Sequence, residues 1–238
     1  MSARSPRLVF RLMGRWWRID VSDEAAIARS TRAFVDAVTG RRDDLAGLRA
    51  DARRSVAAAA SAARSGGAAM LMVATELAPG VPMPVTLTVH DAAALRMSPS
   101  IGTAESDVLD TLTESLRLAA AAGIDTLVER RTSDAPAVRV HRFDAAENGT
   151  RRLLADYWCL VPASKRVVLV QFGTPLGDIP SVMLELFDSI VLAAHYDETF
   201  PGFRGDTRRA VSRGAGRGVG EVPHGDVGAR GERVSHGL

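Results

Sequence analysis

Ile179, Val182, Met183, Leu186, Phe187, Ile190, Val191 and Ala194 keep the i, i+3, i+4 spacing of one helical face, while Ser181, Glu185, Asp188 and Ser189 occupy the other side. Asp178 and Pro180 mark the start of this helix, proline being tolerated where the first backbone amides lack helical partners anyway. An apolar stripe this continuous is stable in water only over a broad apolar surface, and the strand-like segments before it can supply one. The spacing therefore predicts a helix packed on a sheet, with Leu186 and Phe187 buried and Glu185 and Asp188 facing solvent.

Upstream, hairpins alternate with helices. Residues 7–12 and 16–21 are rich in Val, Ile, Phe and Trp and flank Gly14, which predicts a leading hairpin. Trp16 and Trp17 are adjacent there, so in a strand their rings point to opposite faces. Ser22, followed by Asp23 and Glu24, caps a helix whose buried face holds Ile27, Thr31, Phe34, Val35 and Val38 and which stops at Gly40. A cap at Asp43 or Asp44 opens a second helix with Leu45, Leu48, Ala52, Val56, Ala59 and Ala63 on one face. That stripe is mostly alanine and buries modest area before Gly66 and Gly67 end the helix. Strands at 68–77 and 84–91 follow, flanking the loop APGVPMP. The second alternates Val85, Leu87 and Val89 with Thr86, Thr88 and His90 on the opposite face. A third helix over 105–122 buries Val108, Leu109, Leu112, Leu116 and Ala120 and stops at Gly123. Strands at 124–131, 137–144, 151–161 and 166–173 then precede the closing helix, joined by turn-forming segments. This order describes an α+β protein: an antiparallel β-sheet built from hairpins and packed with helices, an α/β/α-type sandwich.

Rare residues exclude whole classes of chemistry. Lys165 is the only lysine, and it stands in the turn ValProAlaSerLysArg, so a lysine-bearing phosphate loop, a Schiff base or a kinase-type site has no residue to use. Cys159 is the only cysteine, which rules out an internal disulfide and a Cys-rich metal site; set between Trp158 and Leu160 in a strand, it reads as a buried structural thiol. His90, His141, His195, His224 and His236 form no i, i+3 or i, i+4 pair, so no metal site is expected; His90 reads as an edge residue and His141 as solvent-facing. No G-x-S-x-G elbow is present. The sequence thus offers no catalytic, cofactor-binding or metal-binding residue. Trp16 and Trp17 are candidate interaction residues, although large aromatics on strands more often serve a core.

Hydrophobic residues make up 46% of the 238-residue chain, enough for a sizeable core, but they are unevenly spread. Residues 201–238 hold ten Gly, no Leu before Leu238, and seven Arg against four acids, a net of +3; the first 200 residues carry a net of −1. We expect one α+β domain over 1–200 and a disordered Gly/Arg-rich tail over 201–238. GAGRGVG at 214–220 has neither the preceding strand nor the following helix of a dinucleotide loop, which makes it a linker. Arg213 and Arg217, each followed by Gly, are candidates for touching an acidic partner; without interleaved aromatics, nucleic acid is not expected. Deleting residues 204–238 is expected to leave the calorimetric melting temperature nearly unchanged, whereas unfolding several degrees earlier would mean that the tail docks.

The leading hairpin with WWRID and the closing DYWCLVP…KRVVLVQF hairpin with its helix give an element order over residues 7–196 that resembles the PsbP/Mog-like fold. Its members include photosystem assembly proteins, a Ran-binding import factor and actinobacterial LpqN-type lipoproteins. The resemblance implies a non-catalytic binding or assembly module and carries over no functional residue. Arginine used in place of lysine, with abundant Ala and Gly, also resembles actinobacterial coding. The longest apolar run before Arg11 is Leu8–Phe10, far short of a signal peptide's apolar region. No lipobox cysteine and no membrane-length apolar stretch occurs. The expectation is a cytoplasmic adaptor or chaperone that binds another protein, serving a secretion or cell-envelope system. The competing class is a small-ligand-binding protein or hydrolytic enzyme with its site in a cleft between helix and sheet.

Overall fold

In chain order the elements are β1 (Arg7–Val9), β2 (Arg15–Ile19), α1 (Glu24–Thr39), α2 (Ala46–Ser65), β3 (Ala68–Ala78), β4 (Val81–His90), α3 (Glu105–Ala120), β5 (Thr126–Arg131), β6 (Pro136–Ala145), β7 (Arg151–Leu160), β8 (Val167–Thr174), α4 (Pro180–Leu192) and β9 (His195–Asp197). They come from a computed structural model that describes residues 6–40, 46–90, 98, 100–120, 126–145 and 149–197. All of these lie in the chain's first structural unit, Met1–Gly202. The tail with Arg213 and Arg217, the second helix's cap at Asp43 or Asp44, and Gly123 lie outside the described residues. Among the described residues no helix is long and apolar enough to cross a membrane.

Seven strands form one antiparallel sheet in the order β2-β3-β4-β8-β7-β6-β5. The chain lays down β2, β3 and β4, crosses through α3 to the far edge, and returns by the meander β5 to β8 until β8 pairs with β4. Period-two alternation then sorts the side chains. Val85, Leu87 and Val89 of β4, Val168, Val170 and Phe172 of β8, and Leu153, Ala155, Tyr157 and Cys159 of β7 form one face, sealed by Met183, Leu184, Phe187, Ile190 and Val191 of α4. Phe187 stacks on Phe172 with ring centroids 4.5 Å apart, and Tyr157 meets Phe172 edge-on at 5.6 Å. Two smaller cores lie on the opposite face. Ile27, Phe34 and Val35 of α1 and Ala60 and Ala63 of α2 cover Ile19 and Leu71 at one end, while Val108, Leu112 and Leu116 of α3 cover Val138, Val140 and Leu160 at the other. The α+β sandwich is the architecture observed.

Several local expectations are corrected. Residues 7–12 do not form a hairpin with 16–21: β1 pairs with β9, and β2 pairs with β3. Gly14 has φ +82, and a Cβ there would run into the Glu76 carbonyl, so the connection crosses tightly over the end of β3 instead of folding β1 back on β2. Asp23 caps α1, accepting a hydrogen bond from the Ala26 amide at 2.7 Å, one residue later than the Ser22 cap expected. Val38 is exposed. In α2 the contact line runs through Ala52, Val56 and Ala60, leaving Ala59 exposed and Leu48 58% exposed. Most of the loop APGVPMP is strand. The β3–β4 turn closes at Gly80, and Pro82 and Pro84 are tolerated because β4 pairs with β8 only from Thr86 onward. In α4, Leu184 is buried, Leu186 is only half-buried, and Ile179 and Val182 are exposed.

Candidate functional site

Two clusters of polar side chains break the apolar pattern of the sheet. The first lies under α4. Arg139 of β6, only 6% exposed, donates from its guanidinium to Asp188 Oδ2 at 2.6 Å, and Arg130 Nε of β5 reaches the same oxygen at 2.8 Å. Tyr157 Oη donates to Asp188 Oδ1 at 2.7 Å. Burial, reinforced by the Asp188 charge, pushes the Tyr157 phenol well above its ordinary range, so it stays a donor. Asp188 is therefore the anchor of a buried ionic network, contrary to the solvent-facing position expected from the helical wheel. Beside it opens a shallow cleft of about 390 Å³ lined by Glu129, Arg130, Arg131, Asp188, Ser189 and Leu192.

The second cluster lies on the opposite face, between the two helical covers. Strand pairing places Thr88, Gln171 and Asp156 side by side across β4, β8 and β7, with His90 at the end of β4 and Arg142 on β6. Hydrogen bonds join His90, Gln171, Asp156 and Arg142 into a row. Gln171 Nε2 donates to Asp156 Oδ1 at 3.0 Å, and an Arg142 guanidinium nitrogen donates to Asp156 Oδ2 at 2.7 Å. With its amide nitrogen turned to Asp156, Gln171 presents Oε1 to His90 Nε2 at 2.8 Å, while His90 Nδ1 meets the Gly66 carbonyl at 2.9 Å. Both ring nitrogens thus face acceptors, and His90 ties the end of α2 to the sheet. Thr86 Oγ1 donates to the Gly173 carbonyl at 3.3 Å, and a Cβ on Gly173 would crowd that hydroxyl.

Thr86, Thr88, His90, Leu154, Asp156, Leu169 and Gln171 are each half-buried, unlike the sealed residues on the α4 side of the same strands. The reason is placement. Among the described residues, α1 and α2 pack over β2 and β3, and α3 packs over β5 to β7, so β4 and β8 form the floor of a groove. Strand spacing of about 4.8 Å puts α2, over β3, and α3, over β6, roughly 19 Å apart. A packed helix needs 8–10 Å on each side, so the gap matches one inserted element.

Trp16 packs against the α4-side core, its indole N–H donating to the Met13 carbonyl at 2.8 Å. Trp17 packs against the α1/α2 core, edge-on to Phe34 at 5.9 Å. The adjacent rings take opposite faces, as alternation requires, and neither is brought into the groove. His141 is half-buried on the α4 side next to Phe143. Its register with Ala155 puts it on the packed face and corrects the solvent-facing expectation. The Thr86–Thr88–His90 alternation was the sequence signal for one strand of the groove floor; Gln171, Asp156 and Arg142 were missed because their alignment depends on long-range pairing. Among the described residues no group of His, Cys, Asp and Glu is arranged to hold a metal ion.

Cys159 is fully buried, and burial pushes its thiol up to about 12. Native protein at about pH 8 is expected to resist alkylation by a maleimide and to react fully only in denaturant, because the thiolate is the reactive species. Stoichiometric labelling of the native state, followed by mass spectrometry, would contradict that placement.

The fold and site define an antiparallel α+β sandwich with a polar-floored groove on one face. No family model matches the chain, and no curated protein matches it. Among solved structures the chain is similar to LpqN of Mycobacterium tuberculosis, described as involved in cell envelope biogenesis, with a TM-score of 0.40 and 12% identity over 81% of this chain and 84% of that one. A likeness at that level transfers no residue role to this chain.

Proposed function

We propose that this protein is a non-catalytic interaction or assembly module that docks a protein partner in the groove between α2 and α3. The observation that carries the proposal is the floor on β4, β8 and β7: half-buried and lined by hydrogen-bonded polar side chains where the sheet's other face is sealed apolar core. An element laid into this groove would cover Leu154 and Leu169 and meet polar groups already held in place, which lowers the ordering cost of binding. The hydrolytic alternative is less well supported, because both His90 ring nitrogens are already engaged, one by the Gly66 carbonyl and the other by Gln171, so neither is turned to a nucleophile.

The same proposal comprises a single domain over 1–200, a cytoplasmic location, service to a secretion or cell-envelope system and a PsbP/Mog-like relationship. It keeps Trp16, Trp17, Arg213 and Arg217 as contact residues to be tested. Affinity purification of the full chain from its native cells is expected to recover a reproducible partner. Thr88→Arg, which drives a long charged side chain into the groove, is expected to reduce that recovery to background with the melting temperature nearly unchanged. The pair Val182→Ser and Leu192→Ser, on the exposed side of α4, is expected to leave recovery intact. Failure to recover a partner, or undiminished recovery with Thr88→Arg, would overturn the proposal.

A further inference from the structure

β5 is the outermost strand of the seven-stranded sheet, bonded to β6 on one side, and among the described residues no strand pairs with its other edge. An open edge is a template for any extended chain, and charged side chains are a common guard against it. Glu129, Arg130 and Arg131 stand in a row here, and their parts differ. Arg130 shares the α4 face with Ala137 and is held inward, its guanidinium on Asp188 at 2.8 Å and on the Glu129 carbonyl at 2.9 Å. Glu129 and Arg131 pair in register with Val138 and Pro136, so both point to the α3 face, and both are exposed. Among the described residues neither has an ion-pair partner; Arg131 donates only to the Thr132 carbonyl, at 3.4 Å.

From this we propose that β5 is a self-association edge, pairing antiparallel with β5 of a second copy so that Glu129 of each chain faces Arg131 of the other. The proposal does not depend on the groove. Symmetry fixes the register. A two-fold axis normal to the sheet keeps the α3 faces of both copies on one side, so opposed residues differ by an even number and the axis passes through a residue. Passing it through Arg130 sets Glu129 against Arg131 twice, giving two opposite-charge cross-strand pairs from groups without another ion-pair partner. Passing it through Glu129 sets like charges face to face, and passing it through Val128 sets Glu129 against Leu127. At the chosen axis the two Arg130 side chains turn back, each to its own Asp188 carboxylate. The Glu129 carbonyl keeps a second lone pair for the new ladder. The added strand also roofs the shallow cleft beside α4 and covers Leu192, which is 55% exposed. An unrelated strand meets the same charges without this match, so an edge closed to foreign chains is open to its own copy.

Sedimentation velocity of the purified full chain over a range of concentrations tests this. A reversible equilibrium between monomer and dimer is expected. Glu129→Arg and Arg131→Glu each oppose like charges and are expected to weaken the dimer about tenfold or more. The double swap, Glu129→Arg with Arg131→Glu, is expected to restore it, as is an equimolar mixture of the two single variants. Melting temperatures show that the variants fold. Disulfide trapping reads the register separately. A Glu129→Cys copy mixed with an Arg131→Cys copy is expected to form a linked dimer and either variant alone to form little, the native Cys159 being buried. A chain that stays monomeric, a dimer indifferent to both single reversals, or a double swap that fails to restore association would overturn the proposal. So would Glu129→Cys linking to itself as readily as to Arg131→Cys.

Discussion

Asp188→Ala is expected to destabilise the fold by about 3–5 kcal/mol, the range for removing one partner of a buried ion pair. The side chain lies on α4 but belongs energetically to the sheet: it accepts from Arg139, Arg130 and Tyr157. Arg139 is almost wholly buried, so without the carboxylate its guanidinium would keep a charge in the core with nothing opposite it. The Tyr157 hydroxyl would also lose its acceptor, at a further cost for an unsatisfied buried donor. Asp188→Leu combined with Arg139→Met should recover much of the loss, since an apolar pair of similar volume removes both desolvation penalties. Urea denaturation of the single and double variants checks this. A cost below about 1 kcal/mol for Asp188→Ala would mean that Arg139 finds water or another acceptor.

Phe187→Ala is expected to cost about 3–5 kcal/mol, from lost transfer energy and the cavity left behind. Its ring is fully buried, stacked on Phe172 at the centre of the core between α4 and the sheet. The surrounding residues come from β4, β7 and β8 as well as α4, so no single element can collapse into the space. Glu185, two residues earlier on the opposite side of α4 and exposed, serves as the internal comparison: Glu185→Ala should change stability by no more than about 0.5 kcal/mol. A harmless Phe187→Ala in the same denaturant series would place the α4 stripe outside the core.

The fold was legible wherever local periodicity and packing agree. The Val85, Leu87 and Val89 alternation, the meander from β5 to β8, and the placement of Phe187 all follow from side-chain spacing. Asp188 was misplaced because a helical wheel treats a carboxylate as solvent-seeking, whereas its partner Arg139 stands 49 residues upstream on strand β6. The leading hairpin failed for a similar reason. Local composition suits residues 7–12 to strand, but β1 finds its partner in β9 at the far end of the described chain. For the groove, Thr86, Thr88 and His90 were visible as a polar face. The row became a site only when β8 paired beside β4 and aligned Thr88 with Gln171, and when β7 brought Asp156 into the same line.

Hydroxyl-radical footprinting of the full chain, free and in its native complex, tests the groove most directly. The account predicts that His90, Leu154, Trp158 and Leu169, all half-buried around the groove, lose reactivity when the partner is bound, while Ile179, Val182 and Leu192 on the outer side of α4 react as before. Protection of the α4 residues with the groove residues unchanged would place the partner on the opposite face and contradict it.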